Sequence, residues 1–206
     1  MTSPAQPTSR SMIDITDLTV TKGGQTICQV ANATVAHGST VGVTGPNGSG
    51  KTTLLRVLAG IEISFGGKCD VDASVKDRVF VHQSPYLFSG TVLSNVEYGL
   101  KARSTSRSVR HEHAALWLER FGIAHLALRS VESLSGGEKR RTALARACVL
   151  EPKLLLLDEP LADLDPAGID CVVQSLNKLD ASTILITSPS PLPVDLTQAT
   201  ISLKQK

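Results

Sequence analysis

Aromatic side chains are scarce in this chain of 206 residues: one Trp, two Tyr and four Phe, with none before Phe65. The first third of the protein therefore cannot stack a planar ligand on a ring. Cysteine is also sparse. Cys28, Cys69, Cys148 and Cys171 are scattered with no C-x-x-C pair, which suggests neither a metal cluster nor a disulfide framework. Reduced thiols are the simpler expectation. No apolar run approaches the roughly 20 residues needed to span a bilayer. The opening "MTSPAQPTSRS" lacks the apolar core of a signal peptide. Charge of one sign is missing too. Lys and Arg total 21 against 19 Asp and Glu, a net charge of +2, so no nucleic-acid partner is expected. Lys139, Arg140, Arg141 and Arg146 form a local basic cluster, read here as a solvated helix face.

Apolar residues make up 41% of the chain, enough for one domain with a sizeable core. Residues 1–11 read as a flexible tail, and 12–206 as a single domain. Met12–Val20 and Gln25–Ala31 are predicted strands joined at Gly23-Gly24, a hairpin signal. Further strands are expected at Ser39–Thr44, Lys68–Val71, Arg78–His82, Lys153–Leu157, Ile184–Thr187 and Thr200–Leu203. Helical spacing covers Lys51–Ala59, Thr91–Leu100, Arg110–Phe121, Gly136–Leu150 and Pro166–Leu179. Strands alternating with helices indicate an α/β fold with a mainly parallel sheet.

"GPNGSGKTT", from Gly45 to Thr53, stands between a predicted strand and a predicted helix and fits G-x-x-x-x-G-K-[ST]. Gly45, Gly48 and Gly50 let the chain turn so tightly that backbone N–H groups face one centre. Pro46, Asn47, Ser49 and Thr53 complete the loop. The following helix aims its positive dipole end at the same centre. Lys51 adds a full charge between β- and γ-phosphates, and Thr52 offers a hydroxyl to Mg²⁺. A second metal contact is expected from a carboxylate at the end of a buried strand. "LLLLDEP" supplies Asp158, and Glu159 follows where it can orient and deprotonate an attacking water.

Other stretches resemble the ABC ATPases, a family of P-loop NTPases. "LSGGEKRR" from Leu134 is similar to their signature motif, Gln83 to their Q-loop glutamine, and "ADLD" at 162–165 to their D-loop. "DEP" at 158–160 suits their Walker B segment. The order and spacing agree over nearly the whole chain. The resemblance implies a P-loop NTPase fold with a small N-terminal antiparallel β subdomain and an α-helical subdomain at about 84–150. It implies ATP and Mg²⁺ as cofactors, with Gln83 linking the metal site to the helical subdomain. It further implies two cassettes closing head to tail on ATP, in a homo- or heterodimer. Each γ-phosphate is then held by one cradle and the other copy's Ser135, Gly136 and Gly137.

The partners implied are a transmembrane permease and, for import, a solute-binding protein. The chain would sit in the cytoplasm, on the inner face of the membrane. Tyr86, Leu87 and Phe88 are candidates for the permease groove, with ordinary subdomain core as the other reading. The phrasing of this region, and the short chain without a C-terminal regulatory domain, are most similar to importers of tungstate-type oxyanions.

Two departures stand out. The family ends the strand after the D-loop helix with a histidine that reaches the γ-phosphate; Ser188 is at that position, and His125 is the last histidine. Pro189, Pro191 and Pro193 follow, so an extended link is predicted where a helix often stands. The family's adenine-stacking aromatic near Lys22 is also missing. Three readings stay open: a slow ATPase driving transport, a regulatory nucleotide-binding subunit with little hydrolysis, and a soluble ABC ATPase outside transport.

Overall fold

A computed structural model describes residues 11–204 of the chain. The proposed tail thus lies outside the described residues except for Ser11, which already belongs to the first strand. That strand, β1 (Ser11–Lys22), pairs antiparallel with β2 (Gln25–Ala36) across the Gly23-Gly24 turn. Both outrun their sequence-based bounds. Asn32 and Ala36 are poor strand formers, but a twelve-residue neighbour offers their backbone a continuous ladder, and that outweighs propensity. β4 (Gly66–Val71) adds to the other edge of β1, giving the order β2-β1-β4.

The second sheet has five parallel strands in the order β5-β6-β7-β3-β8. They are β3 (Thr40–Thr44), β5 (Arg78–Val81), β6 (Leu154–Leu157), β7 (Thr183–Ser188) and β8 (Ala199–Ser202). β6 is four leucines, all buried, because strands flank it and both faces are covered. Helix α1 (Lys51–Leu58) buries Leu54, Leu55, Val57 and Leu58 in a core shared by the two sheets.

Four further helices follow: α2 (Val92–Ala102), α3 (Arg107–Arg120), α4 (Gly136–Cys148) and α5 (Pro166–Leu176). Residues 84–150 contain three of them and no strand. Their core is built on Trp117, Phe121, Leu118 and Leu144, and it runs without a break to Leu155, Leu157, Ile184 and Ile186 of the sheet. Between β7 and β8 there is no helix, as the three prolines predicted, but the chain passes through bends and a turn where an extended link was expected.

This topology positions the chemistry. β7 stands between β3 and β6, so three parallel strands end side by side. Leu157 lies opposite Ile186, and Thr44 opposite Ser188. The glycine-rich loop, Asp158 and Thr187 therefore gather at one edge, the carboxyl end where open α/β sheets place ligands.

Candidate nucleotide site

The glycine-rich loop is held by its surroundings as well as by its own composition. Gly50 has φ +94°, and a Cβ there would come within 2.4 Å of the Ile27 carbonyl oxygen. At Gly45 a Cβ would meet the Leu203 carbonyl oxygen at 2.4 Å. Only hydrogen fits at either place, so β2 and the end of β8 clamp the loop. α1 begins at Lys51 with no side-chain cap and no acidic residue in its first turn. Its first N–H groups and its positive dipole end thus remain available to an anion.

Lys51 is only 5% exposed. Its Nζ donates to the carbonyls of Gly45 (2.8 Å) and Pro46 (3.2 Å) and stands 4.0 Å from Glu159 Oε1. The ammonium is thereby centred at the mouth of the loop. Thr52 Oγ1 donates to Asp158 Oδ2 at 2.8 Å. Asp158 is 2% exposed, and Thr187 Oγ1 donates to its other oxygen at 2.7 Å. Glu159 has φ +48°, unusual for a residue with a Cβ. Three groups hold it there. Thr187 Oγ1 accepts from its N–H (2.9 Å), Arg140 Nη1 donates to its carbonyl (2.8 Å), and Gln83 Nε2 donates to Oε2 (2.8 Å).

Asn47, Gly48, Gly50, Lys51, Thr52 and Thr53 line one side of a cavity of about 430 Å³, and Gln83 and Glu159 line the other. Half of the residues expected at the site thus share one space. Others do not. Ser49 faces a larger cavity of about 630 Å³ between β2 and β8, where its buried Oγ has no hydrogen-bond partner. Gly45 and Pro46 border a cavity against the proline-rich link. Ser188 lines a separate apolar cavity that Glu159 also borders, and its Oγ accepts from Ser190 N–H at 3.2 Å. Lys22 pairs with Glu62.

Ser135, Gly136 and Gly137 open α4, away from this cavity. Ser135 and Glu138 form a reciprocal capping box: Ser135 Oγ accepts from Glu138 N–H, and Glu138 Oε2 accepts from Ser135 N–H at 2.7 Å. The bond from Ser135 N–H holds the Glu138 carboxyl below the usual range. Ser135 and Gly136 are exposed, and a Cβ on Gly136 would meet nothing within 4 Å.

The three arginines of the basic cluster do not form the solvated face expected from the sequence. Arg140 reaches Glu159 and Asp163, Arg141 donates to the Phe121 carbonyl, and Arg146 donates to the Tyr86 carbonyl and Asn95. The arginines on α4 bind backbone carbonyls of the segments packed against the helix. Arg146 also lies over the Phe88 ring, which stacks on Tyr98 at 4.3 Å between centroids. Tyr86 and Phe88 are exposed, whereas Leu87 packs into the helical core. Sequence reasoning gave no role at the site to Thr187, Arg140 or Asn95. Asn95 is buried and clamps both Phe88 backbone groups.

The donor set suits Mg²⁺: a hydroxyl and a carboxylate, hard oxygens, are already 2.8 Å apart. Among the described residues no group of three or more His, Cys, Asp or Glu could hold a metal alone. Mg²⁺ would thus need phosphate oxygens as further ligands, its usual mode. No helix of the described residues is long and apolar enough to cross a membrane.

A family profile described as ABC transporter matches residues 28–162. The tungstate uptake system ATP-binding protein TupC of Peptoclostridium acidaminophilum is 35% identical over 184 residues, 85% of this chain and 86% of that protein. An iron(III) import ATP-binding protein, FbpC, of Streptomyces coelicolor is 36% identical over 82% of this chain but only 51% of its own length. Among solved structures, cbiO1 of Clostridium perfringens, part of an ABC transporter complex, superposes with a TM-score of 0.76. It is 28% identical, covering 87% of this chain and 79% of that one.

Proposed function

The chain belongs to the ABC transporter family as an ATP-binding domain, and from that premise we propose that it hydrolyses ATP to power a membrane importer. The observation that carries this reading is the convergence of Lys51, Thr52, Asp158, Gln83 and Glu159 at the mouth of one loop. Such a convergence suits in-line attack of water on a γ-phosphate.

Each side chain then has a task. The loop N–H groups and the α1 terminus bind phosphate oxygens, and Lys51 neutralises charge on the β- and γ-groups. Thr52 and Asp158 would hold Mg²⁺, which when bound draws charge from the phosphate oxygens and fixes their orientation. Glu159 accepts the proton of the attacking water, with its carboxylate oriented by Gln83. The exposed start of α4 is free to meet the nucleotide of a second cassette, where Gly136 permits close approach. ATP binding thus draws two cassettes together, and hydrolysis separates them.

We place the protein on the inner face of the membrane, docked to a permease through the Tyr86–Phe88 segment. Import of an oxyanion of the tungstate class is supported by the TupC relative. The second cassette is a second copy or a homologue, and a solute-binding protein would deliver the anion. The test is uptake by vesicles carrying the complex purified with this chain. ATP-dependent accumulation of tungstate or molybdate, lost with Lys51→Ala, supports the reading; ATP hydrolysis without uptake of either anion refutes the proposed solute.

One observation favours a second reading, a regulatory nucleotide-binding subunit with little hydrolysis: the Ser188 hydroxyl is engaged with Ser190 and lies outside the loop cavity.

A further inference from the structure

One buried hydroxyl at the site has no task in the scheme above. Thr187, the last residue but one of β7, is 0% exposed and bridges the Asp158 carboxylate and the backbone N–H of Glu159. Its Oγ1 donates to Asp158 Oδ1 at 2.7 Å and accepts from Glu159 N–H at 2.9 Å. A hydroxyl has one proton, so these two partners fix its direction. With Thr52 donating to Asp158 Oδ2, each oxygen of the Asp158 carboxylate has a donor. The same contact pins the N–H of a residue held at φ +48°.

We infer that Thr187 is a positioning residue for hydrolysis, aligning the Asp158 and Glu159 carboxylates with each other through one hydroxyl. The sheet order makes this possible. β7 lies between the strand that feeds the glycine-rich loop and the strand that ends at Asp158, with Val43 opposite Thr187. A residue there registers one half of the site against the other. If Asp158 rotated, its oxygens would leave the place where Thr52 completes the metal side. If the 158–159 peptide turned, the Glu159 carboxylate would leave Gln83. Valine has nearly the shape of threonine but no hydroxyl, so it would leave Asp158 Oδ1 and Glu159 N–H unpaired in a dry place. Supporting partners of metal ligands typically matter by about 10–100-fold in metal affinity or activity.

The inference rests on the proposed ATPase function, and the test separates the two. Purified full-length wild type, Thr187→Val, Thr187→Ala and Thr187→Ser are compared in three ways: equilibrium ATP binding in EDTA, ATP binding titrated with Mg²⁺, and steady-state phosphate release. For Thr187→Val, ATP affinity in EDTA stays within about 2-fold of wild type, the Mg²⁺ needed for half-maximal effect rises about 10-fold, and kcat falls about 10–100-fold. Thr187→Ser, which keeps the hydroxyl, restores both to within about 3-fold on the same scale. Unchanged Mg²⁺ dependence in Thr187→Val overturns the inference while leaving the ATPase function intact, and so does a serine variant as impaired as valine. If the valine variant does not fold, an alanine variant with wild-type Mg²⁺ dependence overturns it equally. A wild-type chain that binds no Mg·ATP overturns both.

Discussion

Arg140 Nη1 donates to the carbonyl oxygen of Glu159 at 2.8 Å, tying helix α4 to the turn that presents the Glu159 carboxylate. Nη2 of the same guanidinium reaches Asp163 Oδ2 at 3.5 Å. One side chain thus joins the helix proposed to meet a second cassette to the turn proposed to carry hydrolysis. The Asp163 contact is exposed and adds little, while the bond to the Glu159 carbonyl is part-buried and charge-assisted.

Arg140→Gln should therefore impair turnover more than binding. A lost charge-assisted hydrogen bond costs about 1.5–3 kcal/mol, or roughly 10–100-fold in rate if it is felt in the transition state. Steady-state phosphate release and nucleotide titration on the same preparation check this. Mg·ATP affinity should stay within about 3-fold of wild type, because Arg140 does not line the loop cavity. A loss of affinity as large as the loss of kcat would place Arg140 in binding instead.

Restoring an imidazole at the end of β7 should speed hydrolysis. Ser188 lies opposite Thr44, the last residue before the loop, and borders a cavity shared with Glu159. A longer donor at that position has space in the cavity that Glu159 also borders. A single transition-state hydrogen-bond donor is worth about 10²–10³-fold at its best, so an increase of at least about 10-fold is expected for Ser188→His. No rise in phosphate release would mean that the proline-rich link holds position 188 out of reach.

The capping box gives a pH signature. Bonding to Ser135 N–H lowers the Glu138 carboxyl below its ordinary value of 4.5. The ionised form is thus favoured by folding. Its stabilising effect is complete above the unfolded value and disappears as the pH falls through the lowered folded value. Thermal unfolding of wild type and Glu138→Ala should differ most near neutral pH and converge as the pH falls through the lowered folded value. A difference that grows on acidification would contradict the assignment.

The sequence made different parts of this site legible to different degrees, for physical reasons. The Gly45–Thr53 loop and the leucine run ending at Asp158 are local patterns, so composition and spacing reveal them. Thr187 is 29 residues from Asp158 in the chain, and only the pairing of β6 with β7 brings them together. Arg140, Arg141 and Arg146 read as a solvated face because charge usually marks solvent. Their real partners are the carbonyls of Glu159, Phe121 and Tyr86, in loops whose course no periodicity encodes. The prolines after Ser188 did announce that no helix follows, since their ring constraint acts on the adjacent residues, though the link they form is bends and a turn. They gave no hint that Ser190 would take the Ser188 hydroxyl.

The central claim is that ATP joins two of these folded units and that Glu159 chemistry parts them. Glu159→Gln keeps the size of the side chain and removes the base, so nucleotide should persist at the junction. The most direct measurement is the solution mass of purified Glu159→Gln with saturating Mg·ATP and then with ADP. With ATP the mass should be twice that of the 21.8 kDa chain, returning to the single-chain value with ADP. A variant that binds Mg·ATP and yet keeps the single-chain mass would contradict the account.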